Sequence, residues 1–189
     1  VVAMPRLFTG IPVPLSAASA LLHPVPDIAG VRPVVPGNLH LTLHFLGDVE
    51  PDQAAMLADS LADLPVPVVR LQLNHGGVFG QAGASGVFWI GPQPQDSLQA
   101  LHQLYQQQRR ILQQLGLRCE DRAWHPHITV ARFKAIQPDT VQQFLNASRS
   151  VSESIDVDRS TLWESRPGTQ QSVYQVYREY RGGTKQQHA

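Results

Sequence analysis

Apolar positions recur along this chain in two rhythms, one of two residues and one of three to four. From Leu39 to Leu46 the run LHLTLHFL nearly alternates, is rich in β-branched and aromatic residues, and closes at Gly47-Asp48, which reads as a strand. RLFTGIP, Arg6 to Pro12, is a short apolar run ending at a proline and reads the same way, as do Val66 to Leu73, Gly86 to Ile90 and His127 to Phe133. The slower rhythm marks helices. Pro51 to Leu64 presents Ala54, Ala55, Leu57, Ala58 and Leu61. Ser97 to Leu115 presents Leu98, Leu101, Leu104, Tyr105, Ile111, Leu112 and Leu115 on one stripe and stops at Gly116. Its Gln-rich face is expected in solvent. Shorter helices are expected from Pro14 and over Pro138 to Ser148. Ile155 to Ser165 and Ser172 to Tyr180 read as a closing pair of strands around Arg166-Pro167-Gly168.

The order strand, helix, strand, helix, strand occurs twice. In each pass the middle strand carries nearly the same phrase, HLTL at His40 and HITV at His127, 87 positions apart (127 − 40). That period is too long, and the copies too few, for a solenoid. The expectation is an internal duplication: one bilobal unit over 1–181, with halves about 4–80 and 86–180 related by a pseudo-two-fold axis. The Gly-rich segment His75 to Gly86 (HGGVFGQAGASG) reads as the turn between lobes. It lacks the Lys-Ser/Thr of a P-loop. The tail 182–189 is expected to be disordered.

Side chains two apart on a strand leave the same face. His40 and Thr42 therefore point together, as do His127 and Thr129, while Leu41, Leu43, Ile128 and Val130 point into a core. If the axis sets the two strands side by side, two imidazoles and two hydroxyls converge. Hydroxyls donate to phosphoryl oxygens, and imidazole titrates near neutrality, so one copy can act as base and the other as acid. A lone half-buried His on a strand is more often structural, bonded to backbone, and it is the repetition that changes the weighing. A zinc site is the competing arrangement: His40 and His44 share a face under ideal alternation, and His125-Pro-His127 is a close pair. Neither phrase contains a carboxylate, HLTLH lacks the Glu of HExxH, and there is no G-x-S-x-G elbow.

Composition narrows the partners. Fifteen basic residues balance fifteen acidic ones in 189, so no global field would hold a long polyanion and any nucleic-acid contact is local. The single cysteine, Cys119, can form no internal disulfide and reads as a packing residue in a reducing compartment. No run of 18 apolar residues and no secretory leader pattern is present, so the expectation is a cytoplasmic chain with no membrane partner.

The paired HLTL and HITV phrases, together with RLFTGIP, HLTLHFLG, GVFWIG and HPHITVAR, resemble the two-histidine (2H) phosphoesterase superfamily. Within it they are most similar to the bacterial RNA 2′,3′-cyclic phosphodiesterase (2′-5′ RNA ligase-like) family. The resemblance runs from about Arg6 to Tyr180. It implies an α+β bilobal fold with two antiparallel sheets flanking a central cleft and helices outside. It also implies hydrolysis of RNA 2′,3′-cyclic phosphate ends without metal or other cofactor, with His40, Thr42, His127 and Thr129 catalytic and Arg132 on the substrate phosphate. By the same resemblance His40 protonates O3′ and His127 is the base, leaving a 2′-phosphate, with ATP-independent 2′-5′ ligation as the reverse. Ideal alternation would put Arg132 on the face opposite His127, so a bulge or strand end is required. His44 and His125 are expected behind the site or at the surface. The expected partners are RNA 3′ ends or nucleotides with a 2′,3′-cyclic phosphate, met by a monomer. A non-catalytic RNA-end or nucleotide binding module, or a phosphodiesterase for 2′-5′ oligonucleotides or small cyclic nucleotides, remain the alternatives.

Overall fold

In the structure, a computed structural model that describes residues 3–183, the strands are β1 (Arg6–Pro12), β2 (Val31–Pro33), β3 (His40–Asp48), β4 (Val69–Leu73), β5 (His75–Gly80), β6 (Ser85–Gly91), β7 (Ile128–Lys134), β8 (Glu153–Val157), β9 (Arg159–Arg166) and β10 (Val173–Arg181). The helices are α1 (Ala18–Leu22), α2 (Pro51–Ala62), α3 (Asp96–Gln114) and α4 (Pro138–Ser148), with short 3₁₀ turns at Leu15–Ala17 and Pro36–Asn38. The fold is α+β with two antiparallel sheets, as expected. Eight strands form the larger in the order β10-β9-β1-β3-β7-β6-β5, with β2 added to β7, while β4 and β8 form the smaller.

The larger sheet is two wings joined at a seam. β3 and β7 pair through Leu41 and Ile128 alone. The elements β1, α1, β3, α2, β4 and β6, α3, β7, α4, β8 follow the same order, and Leu41 and Ile128 are 87 positions apart (128 − 41). Each therefore pairs with its own counterpart. Behind the seam the smaller sheet does likewise, with Leu71 of β4 against Ile155 of β8. These four residues share one buried cluster with Phe88, Leu101 and Phe144, so a single core crosses from one half to the other. Each such side chain stabilises by about 1.5–3 kcal/mol on burial. A second cluster, including Leu7, Leu46, Leu57, Leu61, Leu112 and Leu162, lies under the β10-β9-β1-β3 wing.

Local chemistry accounts for most boundaries. Pro51 and Pro138 open α2 and α4 at a position whose N–H has no helical partner anyway. Gly116, at φ 67°, ends α3 in the left-handed region. On α2 the buried face is Ala54, Leu57, Ala58 and Leu61, whereas Ala55 falls outside the stripe and is exposed.

Three expectations are corrected. His75 to Gly86 is no interlobe turn: β5 pairs with β6 from His75–Gly91 to Gly80–Gly86. Its glycines are there for room, since a Cβ on Gly77 would overlap the Trp89 ring and one on Gly76 would overlap Ser148. The run Ile155 to Ser165 breaks at Asp158 into β8 and β9, which join different sheets. Gln108 of α3 is not solvated. It lies on the buried stripe with Leu101, Leu104, Tyr105 and Leu112, receives the Thr9 hydroxyl at 2.8 Å and donates to Ser160 at 3.3 Å. Beyond Gly183 the expected tail lies outside the described residues.

Candidate active site

The two His-Thr phrases lie on the strands that meet at the seam. Leu41, Leu43, Ile128 and Val130 are buried, while His40, Thr42, His127 and Thr129 are partly open, which is the alternation expected. The antiparallel register at Leu41–Ile128, carried one residue either way, sets His40 across from Thr129 and Thr42 across from His127.

A β-bulge falls at the last residue of each phrase. Gly10 pairs with Thr42 and Thr9 with His44, so Leu43 is the extra residue on β3. Trp89 pairs with Thr129 and Phe88 with Ala131, so Val130 is the extra residue on β7. Each bulge reverses the alternation beyond it. On β7 it returns Arg132 to the cleft beside Thr129, which meets the condition that ideal alternation could not. On β3 it turns Phe45 to the cleft and His44 into the core, where His44 is 4% exposed. His44 thus leaves the face of His40, and a set of histidines that includes it does not assemble. Among the described residues no group of three or more His, Cys, Asp or Glu side chains is placed to hold a metal ion.

The two imidazoles are anchored alike. His40 Nδ1 lies 2.7 Å from the carbonyl oxygen of Asn38, and His127 Nδ1 lies 2.7 Å from that of His125. A carbonyl only accepts, so each Nδ1 donates and each Nε2 is left to exchange a proton. The surroundings differ. His40 is ringed by Phe8, Trp163 and Tyr174 at centroid distances of 5.0, 5.5 and 5.3 Å, whereas His127 has Phe79 at 4.9 Å and Trp89 and His125 at 6.1 Å. Burial pushes both imidazoles below their ordinary pKa, opposed by the hydrogen bond each makes to backbone. The charges of His127 and Arg132 push His40 further down, and that of His125 does the same to His127.

Two adjoining cavities flank this set. One, of about 360 Å³, is bordered by His40, Thr42, Thr129, Arg132, Arg32 and Tyr174. The other, of about 450 Å³, shares Thr42 and Phe45 with it and is bordered by His127, His125, Trp124 and Arg122. The second is lined by a stack of three rings: His44 on Tyr105 at 4.2 Å and 11°, and Tyr105 on Trp124 at 5.0 Å and 9°. The Trp124 indole N–H donates to the Thr42 carbonyl at 3.1 Å, and His44 Nε2 donates to the Tyr105 carbonyl at 2.9 Å. Trp124 thereby ties the approach to His127 back to the strand of His40. Cys119 lines neither cavity, and burial pushes its thiol pKa up.

Sequence reasoning missed Arg32, Trp124 and Tyr174. Arg32 sits on a three-residue strand too short to show a period, and Trp124 in a segment with no regular structure. Tyr174 belongs to an alternating strand, but nothing in that pattern aims it at His40.

A family model described as 2′-5′ RNA ligase superfamily matches residues 31–169. The RNA 2′,3′-cyclic phosphodiesterase of Escherichia coli is 34% identical over 133 residues, covering 67% of this chain and 71% of that protein. The Archaeoglobus fulgidus protein of the same description is 30% identical over 138 residues, 71% of this chain and 76% of its own. The crystal structure of E. coli LigT complexed with NADP+ matches the fold with a TM-score of 0.73 at 27% identity, covering 97% of this chain and 100% of that one.

Proposed function

From the premise that this chain belongs to the 2′-5′ RNA ligase superfamily, we propose that it is an RNA 2′,3′-cyclic phosphodiesterase in which His40, Thr42, His127 and Thr129 are catalytic and Arg132 holds the substrate phosphate. The observation that carries this reading is the doubled anchoring of His40 and His127 through Nδ1, which leaves two imidazoles of one tautomer at a seam that also holds two hydroxyls. One chain supplies all of these groups, so no second copy is needed. A lone thiol, Cys119, suits a reducing, cytoplasmic setting. No helix among the described residues is long and apolar enough to cross a membrane.

The reaction needs one proton removed and one supplied. Water attacks phosphorus in line with O3′, His127 Nε2 takes the proton of that water, and the P–O3′ bond breaks. Protonated His40 gives its Nε2 proton to O3′, leaving a 3′-hydroxyl and a 2′-phosphate. Thr42, Thr129 and Arg132 donate to the non-bridging oxygens as charge builds there. A 5′-hydroxyl in place of that water forms a 2′-5′ linkage with the same roles, His127 taking its proton and His40 protonating O3′; cleavage of that linkage is the reverse and exchanges the two, and in abundant water ligation is the minor outcome.

Phosphorus NMR of the product from a 2′,3′-cyclic mononucleotide is the test. A 2′-phosphate is expected, and a 3′-phosphate reverses the assignment of His40 and His127. His40→Ala and His127→Ala should each lower kcat at least about 100-fold, and near-normal turnover of either variant removes that residue from the mechanism. Because both imidazoles are pushed below the ordinary value, the bell-shaped kcat/KM profile of the free enzyme should centre on the acid side of pH 6.5. A substrate anion favours the protonated form, so the kcat profile should lie at higher pH.

A further inference from the structure

The seam carries more positive charge than one phosphate explains. Arg32 of β2 pairs directly with Arg132 of β7, and both border the 360 Å³ cavity. Like charges placed opposite each other on neighbouring antiparallel strands are destabilising. Among the described residues neither guanidinium has a carboxylate within the 4 Å of an ion pair. An anion in the cavity is the group that would relieve both.

The two arginines stand at one end of a line. Along the seam come first Thr42 across from His127, then His40 across from Thr129, and only beyond these Arg32 across from Arg132. Arg132 is on the same strand as Thr129 and next to it on the cleft face, and its charge is felt at His40. Arg32 is drawn the other way. Its Nη1 donates to the Gln170 carbonyl at 3.4 Å, on the loop between β9 and β10 that forms the rim of the cavity. That rim is fastened down: Gln171 donates to the Pro33 carbonyl at 2.7 Å and accepts from the Val35 N–H at 3.3 Å, and Asn38 donates to the Ser172 carbonyl at 2.9 Å. Arg32 is thus held by one N–H at a fixed edge, with the rest of its five donors uncommitted to any acidic side chain. Tyr174, edge-on to His40 at 5.3 Å, lies along the same cavity. A nucleoside whose cyclic phosphate sits at His40 and whose body runs past Tyr174 would bring its 5′ side to that edge.

We propose that Arg32 binds the phosphodiester on the 5′ side of the terminal nucleotide, so that the cleft recognises the end of an RNA chain in preference to a cyclic mononucleotide. This rests on the function proposed above. It adds a second phosphate subsite, built by a residue outside both His-Thr phrases.

The test compares steady-state kinetics on a 2′,3′-cyclic mononucleotide and on a dinucleotide ending in the same cyclic nucleotide. In the native chain kcat/KM should favour the dinucleotide by about tenfold or more, the range expected for a charge-assisted hydrogen bond. Arg32→Gln should bring the ratio of the two values toward one, and Arg32→Lys should keep part of it. The salt dependence of the dinucleotide KM should also fall by about one phosphate contact. Equal proportional losses on both substrates would place Arg32 on the reacting phosphate and overturn the proposal, as would a native ratio near one. Absence of any His40-dependent turnover of the mononucleotide is a separate result that sinks the hydrolase reading. Equilibrium binding of a dinucleotide 3′-phosphate against a mononucleotide 3′-phosphate, in the native chain and in Arg32→Gln, then still decides whether the second phosphate is held.

Discussion

His44 shows how a single inserted residue can decide what an imidazole does. The extra residue at Leu43 turns it from the cleft onto Tyr105, with its Nε2 proton committed to the Tyr105 carbonyl. Burial holds its pKa below the ordinary value, against the pull of that hydrogen bond, with Arg109 lowering it further and Glu120 raising it. The neutral form is therefore favoured by folding. A group of this kind contributes stability that is fully present above the unfolded value, about 6.5, and is lost as pH falls from there through the lower folded value. His40 and His127 are shifted in the same direction and add to the slope. His44→Phe keeps a ring against Tyr105 but cannot titrate. Its melting temperature should drop less than that of the native chain between pH 7 and pH 5, and parallel curves would show that His44 takes no part. The alternation of HLTLHFL made His40 and Thr42 legible together; taken alone it would also set His44 on their face and not behind the site, where it was expected and lies, because a bulge is set by how β1 lies against β3 and leaves no mark in either strand alone.

At the level of elements the weak point is the seam, where backbone pairing between the wings is limited to Leu41 and Ile128. The Trp124 indole spans the same gap, since it is three residues before His127 and bonds to the carbonyl of Thr42. Trp124→Phe retains a ring to stack on Tyr105 and loses only the N–H. If that bond sets the spacing of the two imidazoles, kcat should fall about tenfold or more while KM and melting temperature stay nearly constant, since small misplacements of reacting groups are costly. A rise in KM alone would instead make Trp124 a wall of the substrate cavity. The hairpin of β5 and β6 is a matter of space. Gly77→Val would drive a side chain into the Trp89 ring and should destabilise the fold by about 1–3 kcal/mol in denaturant titration, and an unchanged midpoint would mean that the hairpin shifts freely. Here a run of glycines looked like a linker because glycine signals flexibility and close approach equally, and only the partner strand distinguishes them.

For the molecule as a whole, the order of elements and the two phrases were legible because each rests on local periodicity. The merging of two halves into one eight-stranded sheet was not, since it depends on pairs more than eighty residues apart. That merging bears on stability. Leu41 and Leu71 from one half and Ile128, Phe144 and Ile155 from the other lie in one buried cluster. We propose on this ground that the halves, about 4–80 and 86–180, form one folding unit descended from a duplicated half. Calorimetry should show one transition, with calorimetric and van't Hoff enthalpies equal, and two resolved transitions would refute the single unit. Ile155→Ala should lower that one transition by about 2–5 kcal/mol.

The way the halves join has an evolutionary corollary. Leu41 meets Ile128, and Leu71 meets Ile155, each position facing its own counterpart. That is how the isologous interface of a two-fold homodimer is made. An ancestor half as long would have closed the same seam with a second copy of itself, and its two catalytic stations would have been identical, free to attack from either side. In a duplicated chain, as proposed above, that constraint is lifted. The second position after each bulged residue holds Phe45 in one half and Arg132 in the other, 87 positions apart (132 − 45). On the proposed reading that difference gives the site a direction, since one half brings an apolar ring to the cavity and the other a positive charge.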